Sequence, residues 1–132
     1  MLGRKDFTQD EIDNGRTAVE RQLDAFDALA APARAALQDA GLFNDLALAL
    51  DRRYVHRLRS VTGKAGTPLN ELEIIVESLL NHGGVLTGIS VIKYAPQQAV
   101  VGLKPGDRVL LTRDDFARLA AGVFDELQAK YR

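Results

Sequence analysis

The 132-residue chain has the length of one domain, and 46% hydrophobic residues with few aromatics and no tryptophan point to a core of Leu, Val, Ile and Ala. A net charge of −1 argues against a general polyanion binder and against a membrane-surface protein. The lack of cysteine excludes disulfides, thiolate metal sites and cysteine nucleophiles together.

The N-terminal stretch is basic, but Asp10, Glu11 and Asp13 stand where a signal peptide needs its apolar run. The longest aliphatic run, Leu46 to Leu50, is far too short to span a bilayer. The expected location is the cytoplasm.

The first helix opens with Thr8 and Glu11 in a capping box, flanked by Phe7 and Ile12 as a hydrophobic staple. Ile12, Val19, Leu23, Phe26 and Ala30 carry its apolar stripe. Gly15 breaks helix propensity there, which suggests close approach of another helix. Pro32 suits the first turn of a short second helix, and Gly41 its end. Phe43, Ala47, Leu50, Tyr54, Leu58 and Val61 then recur every three or four residues. So continuous a stripe predicts a helix through the middle of the domain.

The stretch from Gly63 to Pro68 has a loop's composition. Asn70 suits the cap of the next helix, with Glu73 three residues on, and Leu72, Ile75, Val76 and Leu79 suit its buried face. Gly83 and Gly84 end it, with His82 placed to meet the last carbonyls. From Val85 onward, Gly, Pro and β-branched residues predominate. Ile89 to Tyr94, Ala99 to Leu103 and Arg108 to Leu111 read as strands. Pro105 and Gly106 occupy the central positions of a type II turn between the last two. The final helix repeats the first one's entry, with Thr112 and Asp115 as capping box and Leu111 and Phe116 as staple. Its stripe is Phe116, Leu119, Ala120, Val123, Phe124 and Leu127.

The fold expected is therefore α+β and predominantly α. It is a bundle of about four to five helices with a small antiparallel β-hairpin or sheet before the C-terminal helix. A single domain spans residues 1–132, helical over 8–82, β-hairpin over 85–111 and helical again over 113–131.

Chemistry concentrates on one stretch. Arg52, Arg53, Arg57, Arg59 and Lys64 stand against Asp51 alone. At α-helical spacing Arg52, His56 and Arg59 share a face, with Arg53 and Arg57 beside them. Guanidinium forks pair with phosphate or carboxylate, and His56 adds a donor that titrates near neutral pH. The first helix offers six acids against Arg16 and Arg21, so the arginines also have partners within the chain or in a second copy. Acidic neighbours, and a Tyr54 that falls on the apolar stripe, argue against nucleic acid.

Other motifs fail on spacing. Thr62-Gly63-Lys64-Ala65 lacks the earlier glycine, the following Ser or Thr and the preceding strand of a phosphate-binding loop. His56 and His82 belong to no metal-ligand pattern. Ser60 near His56 has no orienting acid or oxyanion hole in its vicinity. Leu103 to Val109 resembles the hairpin phrase of the swapped-hairpin transcription factors, over seven residues and without the surrounding β-rich domain.

Four blocks taken together are Met1 to Phe7, Leu50 to Arg59, Pro68 to Glu71, and Ile92 to Tyr94 with Gly106 to Arg108. The set resembles a family of small uncharacterised bacterial cytoplasmic proteins. That resemblance implies a stand-alone protein and carries over no activity and no site. The function expected is non-catalytic: binding a protein partner, or self-association as a homo-oligomer, with no cofactor. The alternative from another class is an enzyme or sensor for a small anionic metabolite at Arg52, Arg53, His56, Arg57 and Arg59. A nucleic-acid accessory protein is the third.

Overall fold

A computed structural model describes residues 6–56 and 63–132. Five α-helices account for most of them: α1 (Gln9–Asp27), α2 (Ala31–Asp39), α3 (Leu42–Leu50), α4 (Pro68–Asn81) and α5 (Arg113–Lys130). A π-helical turn, Asp51–Val55, continues α3, and a 3₁₀ turn spans Pro96–Gln98. No β-strand occurs among the described residues, which overturns the expected hairpin and with it the α+β class.

The predicted entries to α1 and α5 form as capping boxes, and all four staple residues are buried. All six stripe residues of α5 are buried as well, against α1, α3 and α4. The cap of α4 is Thr67 rather than Asn70. Asn70 sits at the third helical position and reciprocates, its Oδ1 accepting from the N–H groups of Gly66 and Thr67 at 3.0 and 3.1 Å.

α4, not the Phe43 helix, runs through the middle of the molecule. Every residue from Leu69 to Val76 is buried, Asn70, Glu71 and Glu73 included. α3 buries Phe43, Ala47 and Leu50, and its π turn Asp51, Tyr54 and Val55, while Leu58 and Val61 of the predicted stripe lie outside the described residues. Periodicity favoured the wrong helix because α4 has polar side chains on the sides that look solvated. Two of those side chains, Asn70 and Glu71, serve the neighbouring backbone instead. Glu126 of α5 does the same from outside, its Oε1 accepting the Leu69 N–H at 3.0 Å in the first turn of α4, where a negative charge also suits the helix dipole.

Residues 83–112 cross the bundle in extended and turning conformations. The turn at Lys104 to Asp107 forms as expected, with Gly106 at φ 95° and the Asp107 N–H bonded to the Lys104 carbonyl at 2.9 Å. Its flanks do not fold on each other. Only its C-terminal side pairs with Gly84 to Leu86, in one antiparallel bridge, Val85 to Arg108. The donors and acceptors that would build a sheet go to helix side chains. Both Glu71 carboxylate oxygens accept from the N–H groups of Val100, Val101 and Gly102 at 2.8, 2.9 and 3.2 Å. Arg118 of α5 donates to the Val100 carbonyl at 3.0 Å. Asn44 of α3 brackets the Val109 carbonyl and the Leu111 N–H at 2.9 and 3.0 Å, as a neighbouring strand would. Ser78 of α4 accepts the Thr87 N–H at 2.9 Å. The Tyr94 hydroxyl donates to the Leu103 carbonyl. Burial first, then the charges of Glu71 and Asp107, push the Tyr94 phenol up to about 12.

Gly15 marks the close approach its position suggested. Tyr54 lies on it, and a Cβ there would stand 1.7 Å from the phenol oxygen. That oxygen donates to the Glu11 carbonyl at 2.6 Å, while the ring meets Phe7 and Phe124 edge-on with centroids 5.1 and 5.8 Å away. The Arg16 guanidinium lies 5.1 Å from the centre of the Phe124 ring.

Gly15→Ala should destabilise the protein by about 1–3 kcal/mol through overpacking. Adding Tyr54→Phe should cost less than the sum of the two single changes, because it removes the clashing oxygen; additive losses in urea unfolding would contradict this contact. Glu71→Gln should cost about 1.5–3 kcal/mol, since an amide replaces a carboxylate that satisfies three donors. Amide exchange should accelerate first at Val100, Val101 and Gly102, and unchanged protection there would disprove the clamp.

Candidate functional site

α1 and α3 run antiparallel. Phe26, near the end of α1, meets Phe43 at the start of α3 with ring centroids 4.8 Å apart. Gly15, in the first half of α1, meets Tyr54 in the π turn. The two helices diverge enough on their outer side to leave an open trough. At its α2 end this trough forms a cavity of about 320 Å³, with Gln22, Ala25 and Phe26 of α1 on one wall and Leu42 and Leu46 of α3 on the other. Leu29, just past α1, and Leu37 of α2 close it. Toward the π turn it narrows to about 70 Å³ between Gly15, Ala18, Ala49 and Arg53. Gln22 and Leu46 line both parts, so the trough is continuous.

Local sequence explains why the trough stays open. α2 is nine residues long, has Pro32 in its first turn and no side-chain cap, and stops before Gly41, whose φ of 91° suits glycine. It buries no residue fully. Leu29 and Leu37 are consequently 39% and 40% exposed on facing sides of the cavity.

Beyond Phe26 lies a second cavity of about 230 Å³, lined also by Ala31, Arg34, Ala35 and Gln38. The Nε of Arg34 is buried and has no hydrogen-bond partner. The nearby carboxylate is already engaged: Asp27 takes Arg113 Nε and Nη2 on its two oxygens at 3.0 and 2.7 Å. The Gln38 side-chain Oε1 accepts the Arg113 N–H at 3.0 Å. The hydrogen bonds from Arg113 hold the Asp27 carboxyl below the usual carboxylate range against the opposing effect of desolvation, and the charges of Arg113 and Arg34 lower it further. The same pairing raises Arg113.

The predicted basic face is only partly assembled. Arg52, Arg53 and His56 are exposed. The π turn bonds the His56 N–H to the Asp51 carbonyl, five residues back, so the α-helical spacing that placed Arg52 and His56 on one face does not hold through it. Arg53 lines the narrow end of the trough, whereas Arg52 and His56 line none of the cavities above. Arg57 and Arg59 lie outside the described residues. Among the described residues no group of three or more His, Asp or Glu side chains is placed to hold a metal. The trough itself escaped the sequence reading. Its only signal there was a surplus of leucines, Leu29, Leu37, Leu42 and Leu46, outside the stripes assigned to the core.

Comparison with protein-family models, curated proteins and solved structures found no match. The functional reading rests on the geometry.

The Asp27–Arg113 pair makes a prediction about pH. Asp27 should titrate below 3.8 in the folded protein, and the stabilisation from its charge should be present above 3.8 and fade as pH falls through the lowered value. Carboxyl-carbon NMR should show Asp27 returning toward its ordinary value in Arg113→Gln. An Asp27 that titrates identically in both proteins would refute the pairing.

Proposed function

We propose that this chain is a non-catalytic binding module that docks an amphipathic helix of a protein partner in the trough between α1 and α3. The observation that carries this reading is the continuous open trough, apolar over its wider half and floored by Gly15, Ala18 and Ala49 in its narrower half. From Gly15 to Leu29 it follows α1 for about 21 Å at 1.5 Å per residue, which is the length of a four-turn helix. Helices that bind in grooves place apolar side chains at three- and four-residue spacing into such a channel. Small residues let the partner's backbone come close at one end. Leucines receive its larger anchors at the other.

A convex partner fits better than a second copy. An isologous pair sets the same patch on itself, and a trough facing a trough leaves both unfilled. Arg53, which lines the narrow end, gives the channel a charged edge there that favours register over affinity.

The test uses a fluorescein-labelled sixteen-residue model helix with leucines at alternating three- and four-residue spacing, followed by anisotropy. Wild-type protein should bind it saturably in the micromolar range. Leu29→Asp/Leu37→Asp should weaken binding at least about tenfold while leaving the circular dichroism unchanged, since both leucines are partly exposed. Equal binding by both proteins, or no saturation, would overturn the reading. So would a concentration-dependent dimer that the same two substitutions abolish, because the trough would then belong to a second copy.

A further inference from the structure

α1 is open on its other flank as well. There it runs antiparallel to α5: Arg16 lies 3.9 Å from Asp125 toward one end of the pair, and Asp27 holds Arg113 at the other. Between these contacts lies a groove of about 130 Å³, in which Val19, Glu20 and Leu23 of α1 face Ala117, Ala120 and Ala121 of α5. Three alanines leave α5 too little side chain to fill it. Val19 also lines the narrow end of the trough, so α1 forms a ridge between two channels.

This flank is acidic. α1 and α5 together carry ten carboxylates against five cations, although the whole chain is only −1. Most of the ten are engaged. Glu11 and Asp115 close capping boxes, Asp27 and Asp114 share Arg113, Asp125 meets Arg16, Glu126 meets Lys130, and Asp13 accepts from Gln9. Glu20 and Asp24 are exposed and form no ion pair among the described residues. They stand four residues apart, on one side of α1, where like charges repel. The cations do not answer them. Arg16 lies over the Phe124 ring, and Arg118 turns to Asp115 and the Val100 carbonyl. Arg21 pairs with neither acid and lines neither channel.

We propose that the α1–α5 groove docks a basic amphipathic helix of a protein partner, with its aliphatic side chains over the alanines and its lysines or arginines on Glu20 and Asp24. The proposal goes beyond the trough reading and stands independently of it. The groove follows α1 from Arg16 to Leu23, about 10 Å at 1.5 Å per residue, so two turns of the partner seat in it. Long basic side chains suit both parts of such a surface, since their methylene stems lie on alanine while their heads reach carboxylates. A second copy does not suit it. An isologous contact would set Glu20 and Asp24 of one copy against the same acids of the other.

The experiment titrates two labelled sixteen-residue helices by anisotropy. Both have the same leucine stripe, flanked by lysines in one and by glutamates in the other. Wild type should bind the lysine helix at least about tenfold more tightly than the glutamate helix. Glu20→Gln/Asp24→Asn should weaken the lysine helix about fivefold or more. Asp39→Asn/Asp45→Asn removes the same net charge from exposed positions on α2 and α3 and should change it less than about twofold. Ala121→Phe, which fills the groove from an exposed position, should weaken it about tenfold. Leu29→Asp/Leu37→Asp should leave it as tight as in wild type or tighter, because the trough is not its seat. Equal affinities for the two helices in wild type, or no binding of the lysine helix, would overturn the proposal. So would equal losses in the two neutralised pairs, which would mean attraction by net charge alone. Loss of the lysine helix in the trough variant and not in Ala121→Phe would place it in the trough and remove the groove.

Discussion

Glu71 is buried in the middle of the molecule, and its two carboxylate oxygens hold three consecutive backbone N–H groups of a segment with no strand to pair with. Every buried backbone donor needs an acceptor. A segment of some thirty residues laid across helices normally meets that need by forming a sheet. Here Glu71, Asn44, Ser78 and Arg118, all on helices, meet it one group at a time. The first two turns of the helix that carries Glu71 are consequently buried all round, with α3, the π turn and α5 packed against that helix. Gly122 of α5 shows how close the arrangement is, since a Cβ there would sit 3.2 Å from Pro68 and 3.5 Å from Val100.

A second contact sets the outer face. Tyr54 rests on Gly15 and hydrogen-bonds to the Glu11 carbonyl, so the π turn is held against the first half of α1. The Phe26–Phe43 pair holds the other ends of the same two helices. Between these fixed points the helices cannot close on each other, and the side chains available there are small at one end and aliphatic at the other. α2 is too short and too weakly anchored to cover the gap. The channel is a consequence of where the two aromatic contacts fall.

The charges on this outer face divide into those that are paired and those that are not. Arg113 and Asp27 satisfy each other with two hydrogen bonds, and the Asp27 carboxyl is lowered accordingly. That pairing takes the nearest carboxylate away from Arg34.

Much of this protein is local, and its residues announce it. The capping boxes at Thr8 and Thr112, their staples, the stripe of α5 and the Pro105-Gly106 turn each depend on residues near one another in the chain, and each forms as its spacing predicts. The class of the fold was not local. Residues 85–111 carry strand-like composition, yet strands need a second extended segment at hydrogen-bonding distance, and α4 and α3 reach that backbone first with Glu71, Ser78 and Asn44. The same cause hid the central helix, because Asn70, Glu71 and Glu73 look solvated until the segments that bury them are in place. Spacing also placed Arg52 and His56 on one α-helical face, and the π turn, held where Tyr54 meets Gly15, changes the phase. The sequence alone determines where helices begin, end and turn an apolar side inward. Which helix lies at the centre, whether the last loop becomes a sheet, and which leucines line a channel rather than a core are decided by contacts between residues distant in the chain, and only the tertiary structure contains those.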